Sequence, residues 1–143
     1  MRNTGKRRRR TGRRRTDLKR KDLLGLRGLE AEEIDLFLRE GLDMKRLLKQ
    51  NGKSLPYLRD KSATILFYEN STRTRSSFEL AAKYMGAKVV NISAASSSVQ
   101  KGETLVDTGK TLDAMKNDFI VMRHPMGGAP HLLAETVKAH VVN

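Results

Sequence analysis

Residues 71–79 read STRTRSSFE, directly after the apolar run TILF at residues 64–67 and leading into FELAAKY at residues 78–84. The first run is strand-like. The second has helix formers with apolar residues three and four apart and meets Gly86 near the expected C-cap position. The STRTR turn therefore sits at a helix N-terminus. Unpaired backbone N–H groups and the positive end of the helix dipole favour an anion there. Arg73 and Arg75 add charge and forked donors suited to phosphate oxygens. Phosphate or a phosphorylated metabolite is the natural ligand. The plainer alternative is an ordinary N-cap at Ser71 or Thr72 beside a solvated arginine face.

Working outward, residues 30–50 support a helix, with Ile34, Phe37, Leu38, Leu42, Leu47 and Leu48 at roughly helical spacing, a face expected to be structural. Asn51 and Gly52 break the pattern, Pro56 marks a loop, and residues 61–67 begin the first core strand. Residues 87–92 (AKVVNI) are a second strand. Residues 104–115 read as a helix leading into strand 119–123 (FIVMR), and residues 132–138 as a helix leading into 140–142 (HVV). This alternation implies an α/β fold: a parallel sheet of about four strands with helices on both faces, binding ligands at the carboxyl ends of the strands.

Composition narrows the classes. A chain of 143 residues can bury one core. Its net charge of +13 suggests a nucleic-acid or membrane partner until the charge is located. Residues 1–22 hold twelve Lys or Arg against two Asp, or +10, which leaves only +3 for the rest. Residues 1–16, MRNTGKRRRRTGRRRT, have no aliphatic side chain after Met1, so residues 1–17 are expected to be a disordered basic tail. That tail reads as an electrostatic nucleic-acid contact, a targeting segment, or an addition ahead of the true start. The absence of aromatic interleaving argues against nucleic acid, and the absence of a serine-rich amphipathic pattern argues against import. No apolar run is long enough to span a membrane and no cysteine is present, so a cytoplasmic protein without disulfides is expected.

Two further segments carry polar groups. Residues 96–107, SSSVQKGETLVD, form a serine- and glycine-rich loop with a mobile cation at Lys101. Residues 122–125, MRHP, put Arg123 and His124 at a strand's carboxyl end, where Arg123 can converge with the STRTR turn. Taken alone, a lysine in a serine loop is surface decoration, and a strand-end polar pair is as readily structural as functional.

Together these segments resemble the aspartate and ornithine carbamoyltransferases. STRTR resembles their carbamoyl-phosphate loop. KGETL followed by Asp107 and Thr108 and the opening KDLLGLRGLEAEEI look like the aspartate enzymes, and YENSTRTRSSFE, the lysine of KGET and the MRHP tetrapeptide argue against the ornithine enzyme, the nearest competitor. The resemblance implies that residues 18–143 are a carbamoyl-phosphate-binding domain, and that the parent reaction transfers a carbamoyl group to the amino group of L-aspartate. It implies that Ser71, Thr72, Arg73, Thr74 and Arg123 hold carbamoyl phosphate. It also implies that Ser98 (or Ser97) and Lys101 reach the site of a neighbour in a homotrimer. Arg73, Thr74, Lys101 and Arg123 would be catalytic. His124 does not inherit the catalytic histidine's role, which belongs to a later HPTQ-type motif absent from this sequence, and His131 and His140 read as surface or boundary residues.

The chemistry is consistent with those residue types. Amine attack on a carbamoyl carbon creates an oxyanion and releases phosphate, so N–H donors and cations lower the barrier and no nucleophilic side chain is needed. The family implies neither a metal nor an organic cofactor. Because the resemblance ends at VVN, the sequence is expected to carry only the first part of such an enzyme. Such a chain is expected to bind carbamoyl phosphate at most, weakly and without turnover, with apolar surface exposed where a returning C-terminal helix would pack.

Overall fold

The computed structural model describes residues 18–143 apart from residue 53 and residues 94–101. The basic tail and the loop candidates Ser97, Ser98 and Lys101 therefore lie outside the described residues.

Strands β1 (Ser62–Phe67), β2 (Lys88–Ser93), β3 (Phe119–Arg123) and β4 (His140–Val142) pair in parallel in the order β2-β1-β3-β4. Helices α1 (Ala31–Asn51), α2 (Thr72–Tyr84), α3 (Leu105–Ala114) and α4 (Ala129–Thr136) alternate with them. The chain moves one way across the sheet from β1 to β2 and the other way from β2 to β3 and on to β4. Right-handed crossovers therefore put α2 on one face and α3 and α4 on the other. The reversal falls between β1 and β3, the crevice where open parallel sheets bind ligands.

Alternation along the strands separates two cores. Leu66, Ile120, Met122 and Val141 pack with Leu112 of α3 and Leu133 of α4, whereas Ile65, Phe67 and Val121 face the other way with Val89 and Val142. Thr64 is fully buried, and its hydroxyl is satisfied by Asn117 Oδ1 at 2.8 Å. At the strands' amino ends Asp118 joins β3 to β1. Its carboxylate accepts from Lys61 Nζ at 2.8 Å and from the Ser62 N–H at 2.9 Å. The Lys61 bond first, then that N–H, hold the carboxyl below its ordinary value of 3.8.

The far edge of the sheet is covered. Leu23 N–H donates to Val141 O and accepts through its own carbonyl from Asn143 N–H, each at 2.9 Å, extending the ladder past β4. Lys21 Nζ donates to the carbonyls of Ala134, Val137 and Ala139 at 3.0, 2.8 and 3.2 Å, capping the C-terminal end of α4.

Three expectations are corrected. Helix α2 begins at Thr72, six residues before the FELAAKY run, so the second to fifth residues of STRTR are its first turn and not a loop ahead of it. Helix α4 begins at Ala129, three residues early, because Gly128 takes φ +82 ahead of it and Pro130 suits a first turn where no N–H partner is needed. Helix α1 forms as expected, but its apolar stripe is open over its first three turns, while Leu47 and Leu48 are half-buried. Glu33 is its one buried residue, held by Arg20 at 2.9 Å, while Ile34, Phe37, Leu38 and Leu42 are exposed.

Candidate anion-binding site

The site is built from the ends of β1 and β3. After Phe67, the odd-numbered residues continue towards the α2 face. Glu69 and Arg123 meet there, with Arg123 Nε donating to Glu69 Oε2 at 2.8 Å. The same guanidinium reaches across to Ser71, donating from a terminal nitrogen to Oγ at 3.2 Å. The Arg123 carbonyl accepts from the Tyr68 N–H at 2.9 Å, carrying the β1–β3 ladder one step beyond the paired register that ends at Phe67 and Arg123.

Ser71 is the N-cap residue of α2, but its side chain makes no capping bond. The first intrahelical bond runs from Arg75 N–H to the Ser71 carbonyl at 3.0 Å. The N–H groups of Thr72, Arg73 and Thr74 therefore have no hydrogen-bond partner among the described residues and open onto the positive end of the helix. The side chains of Thr72 and Arg73 are exposed and that of Thr74 is half-buried. Among the described residues Arg73 makes no ion pair. Arg75, expected to share that role, is half-buried instead and adds to the field around Glu79. Hydrogen bonds from Lys83 and Asn91 are the larger reasons that the Glu79 carboxyl sits below its ordinary value.

The structure thus brings together Ser71, Thr72, Arg73, Thr74 and Arg123 at one rim. Sequence reasoning missed Glu69. Its signal was available: two positions after Phe67, it shares the face of Arg123, and an arginine at a strand end needs a counter-charge. A carboxylate here orients Arg123 and competes with any incoming anion for it.

The even-numbered residues turn to the opposite side of the rim. The rings of Tyr68 and His124 lie 4.5 Å apart at 55°. His124 Nδ1 accepts from the Met126 N–H at 3.0 Å, closing the β3–α4 turn. Burial raises the Tyr68 phenol above its ordinary value. Thr108 lies near the hydroxyl without meeting hydrogen-bond geometry, so the hydroxyl has no partner among the described residues. His140, also on the sheet, has Nδ1 2.6 Å from the Lys21 carbonyl and stacks on Phe119, away from the site. No group of three or more His, Cys, Asp or Glu positioned to hold a metal occurs among the described residues, nor a helix long and apolar enough to cross a membrane.

The entrance to α3 is set by a reciprocal cap. Thr104 Oγ1 accepts from the Asp107 N–H at 3.2 Å, and the Asp107 carboxylate accepts from the Thr104 N–H at 3.2 Å and from its hydroxyl at 2.6 Å. This fixes where the KGETL segment joins the helix. The Asp107 carboxyl is lowered, first by the Thr104 hydroxyl.

Residues 21–143 match the family model described as aspartate/ornithine carbamoyltransferase, carbamoyl-P binding domain. The aspartate carbamoyltransferase catalytic subunit of Ruminiclostridium cellulolyticum is 63% identical over 127 residues, covering 89% of this chain and 41% of that protein. That of Heliobacterium modesticaldum is 63% identical over 123 residues, covering 86% and 39%. Among solved structures, the catalytic subunit of M. jannaschii aspartate transcarbamoylase superposes with a TM-score of 0.79 at 38% identity over 87% of this chain and 40% of that one. The Trypanosoma cruzi aspartate transcarbamoylase in complex with carbamoyl phosphate and aspartate gives 0.78 at 33% identity, over 85% and 40%. The chain spans about two fifths of the length of the curated relatives it matches.

Proposed function

The chain belongs to the aspartate/ornithine carbamoyltransferase family, and from that premise we propose that its STRTR corner binds carbamoyl phosphate. The observation that carries this reading is the junction of Arg123 with Ser71 at the open N-terminus of α2, where three backbone N–H groups lack partners among the described residues. A phosphoryl group seated there receives the N–H groups of Thr72, Arg73 and Thr74, the hydroxyls of Ser71, Thr72 and Thr74, and the Arg73 guanidinium. Arg123 lies across the corner on β3, suited to polarise the carbamoyl oxygen as negative charge develops on it. Glu69 holds that guanidinium in place before the ligand arrives.

We assign residues 18–143 to one carbamoyl-phosphate-binding domain, with residues 1–17 outside it. The parent reaction is carbamoyl transfer to the amino group of L-aspartate in de novo pyrimidine biosynthesis. The KGETL and MRHP strings favour aspartate over ornithine as the acceptor. No residue of this sequence is assigned to reading the amino acid, so this chain's own contribution is carbamoyl phosphate binding. Ser98 and Lys101 are proposed to serve a neighbouring copy in a homotrimer in the cytoplasm.

The test is competition at equilibrium among carbamoyl phosphate, inorganic phosphate and acetyl phosphate. Carbamoyl phosphate should bind most tightly, and Arg123→Ala should erase its advantage over inorganic phosphate. Equal affinity for all three in the unmodified chain would reduce the site to a general anion corner.

A further inference from the structure

The rim at the end of β3 carries a second polar device that the proposed chemistry leaves unused. Arg123 and His124 are adjacent but point to opposite sides of the sheet, as alternation requires. Arg123 faces Glu69 and Ser71, while His124 packs at a tilt against Tyr68. Tyr68 is the same residue whose N–H donates to the Arg123 carbonyl at 2.9 Å. The backbone at Arg123 is thus gripped from β1, and the ring beyond it is gripped by the side chain of that β1 neighbour.

His124 closes the turn by accepting the Met126 N–H on Nδ1 at 3.0 Å. An N–H can only donate, so Nδ1 must be unprotonated and the ring's proton sits on Nε2. The contact spans two residues, as the side-chain-to-backbone bond of an Asx turn does, with a ring nitrogen in place of an asparagine oxygen. We propose that His124 is a positioning residue. Its neutral ring holds the β3–α4 turn against Tyr68 and thereby fixes Arg123 in its contacts with Glu69 and Ser71. The bond from the Met126 N–H needs the free lone pair of Nδ1, so a side chain without an acceptor at that point leaves the turn open.

This inference rests on Arg123 as a substrate arginine for its meaning, but its test needs no ligand. In the ¹⁵N-labelled full chain, hydrogen exchange is followed at the Met126 N–H and at the Arg123 Nε–H. His124→Phe keeps a ring on Tyr68 and removes the acceptor. Exchange at both positions should then quicken by about fivefold or more, the worth of one modest hydrogen bond. His124→Asn restores an acceptor of the same reach and should return both signals to the original rates. Unchanged Arg123 Nε–H exchange in His124→Phe, or quickening at Met126 without quickening at Arg123, would overturn the proposal. Should His124→Phe fail to fold, His124→Ala is read in its place by the same two outcomes. Failure of carbamoyl phosphate to bind would overturn the functional reading and leave this result standing.

Discussion

Arg73 is exposed and makes no ion pair among the described residues, whereas Arg123 is bound to a carboxylate. The two arginines of the site are therefore not equivalent. Arg73→Ala removes a charged donor and should weaken carbamoyl phosphate binding by about tenfold or more, since hydrogen bonds to charged groups are worth about 1.5–3 kcal/mol. Glu69→Gln acts in the opposite direction. It deletes a competitor for Arg123 and a like charge beside the anion, so inorganic phosphate should bind more tightly. The Glu69 and Arg123 side chains are 33% and 47% exposed, so solvent screening limits the gain to about fivefold. Titration calorimetry reads both variants, and weaker phosphate binding in Glu69→Gln would show that the carboxylate positions more than it competes. At this scale the meeting of Arg123 with Ser71 was legible, because the two strand ends that carry them were explicit in the sequence. Glu69 was hidden because its role depends on a cross-strand partner 54 residues away, which no local pattern names.

Element boundaries followed local chemistry where a cap or a turn was explicit. Strands β3 and β4 fell on the expected residues, and α3 lies between Thr104 and Met115 as its capping box dictates. The starts of α2 and α4 were read late because their first turns are polar or carry proline, and periodicity begins only where an element buries a face. Packing between α3 and α4 was invisible in sequence: Gly109 is buried, and a Cβ there would stand 2.8 Å from Leu133 Cδ1 and 3.2 Å from Val137 Cγ1. Gly109→Ala should therefore destabilise by about 1–3 kcal/mol through overpacking, against the gain of about 0.5–1 kcal/mol that alanine ordinarily brings to a helix interior. A chemical denaturation midpoint that rises would contradict this contact. Asp118→Ala, which cuts the tie between the starts of β1 and β3, should cost about 1–2 kcal/mol at neutral pH. Because the folded carboxyl is lowered, that stabilisation is present above the ordinary aspartate value of 3.8 and is lost as pH falls through the lower, folded one. The unmodified and Asp118→Ala chains should converge in stability only on the acid side. A gap that stayed constant down to the lowest pH tested would show that the carboxylate's charge is not what stabilises the junction.

At the scale of the whole molecule, the four-stranded parallel sheet was legible because buried parallel strands leave continuous apolar runs, whereas its strand order and the reversal between β1 and β3 were not. The placement of α1 was not, because helical spacing reports a stripe and not what lies against it. Leu38 and Leu42 are 64% and 56% exposed, so replacing both with lysine should change stability by less than about 0.5 kcal/mol each. A large loss on denaturation would mean that the stripe is buried in solution. The charge is likewise uneven, with +10 in residues 1–22. The central claim is that the STRTR corner and Arg123 bind carbamoyl phosphate, and calorimetric titration tests it most directly. The unmodified chain, Arg73→Ala and a chain lacking residues 1–16 would be compared, each shown to be folded by circular dichroism. Saturable binding with one site per chain, kept on removal of the tail and weakened by about tenfold or more in Arg73→Ala, is the predicted result. No binding by the folded unmodified chain, or binding that disappears with the tail and persists in Arg73→Ala, would contradict it.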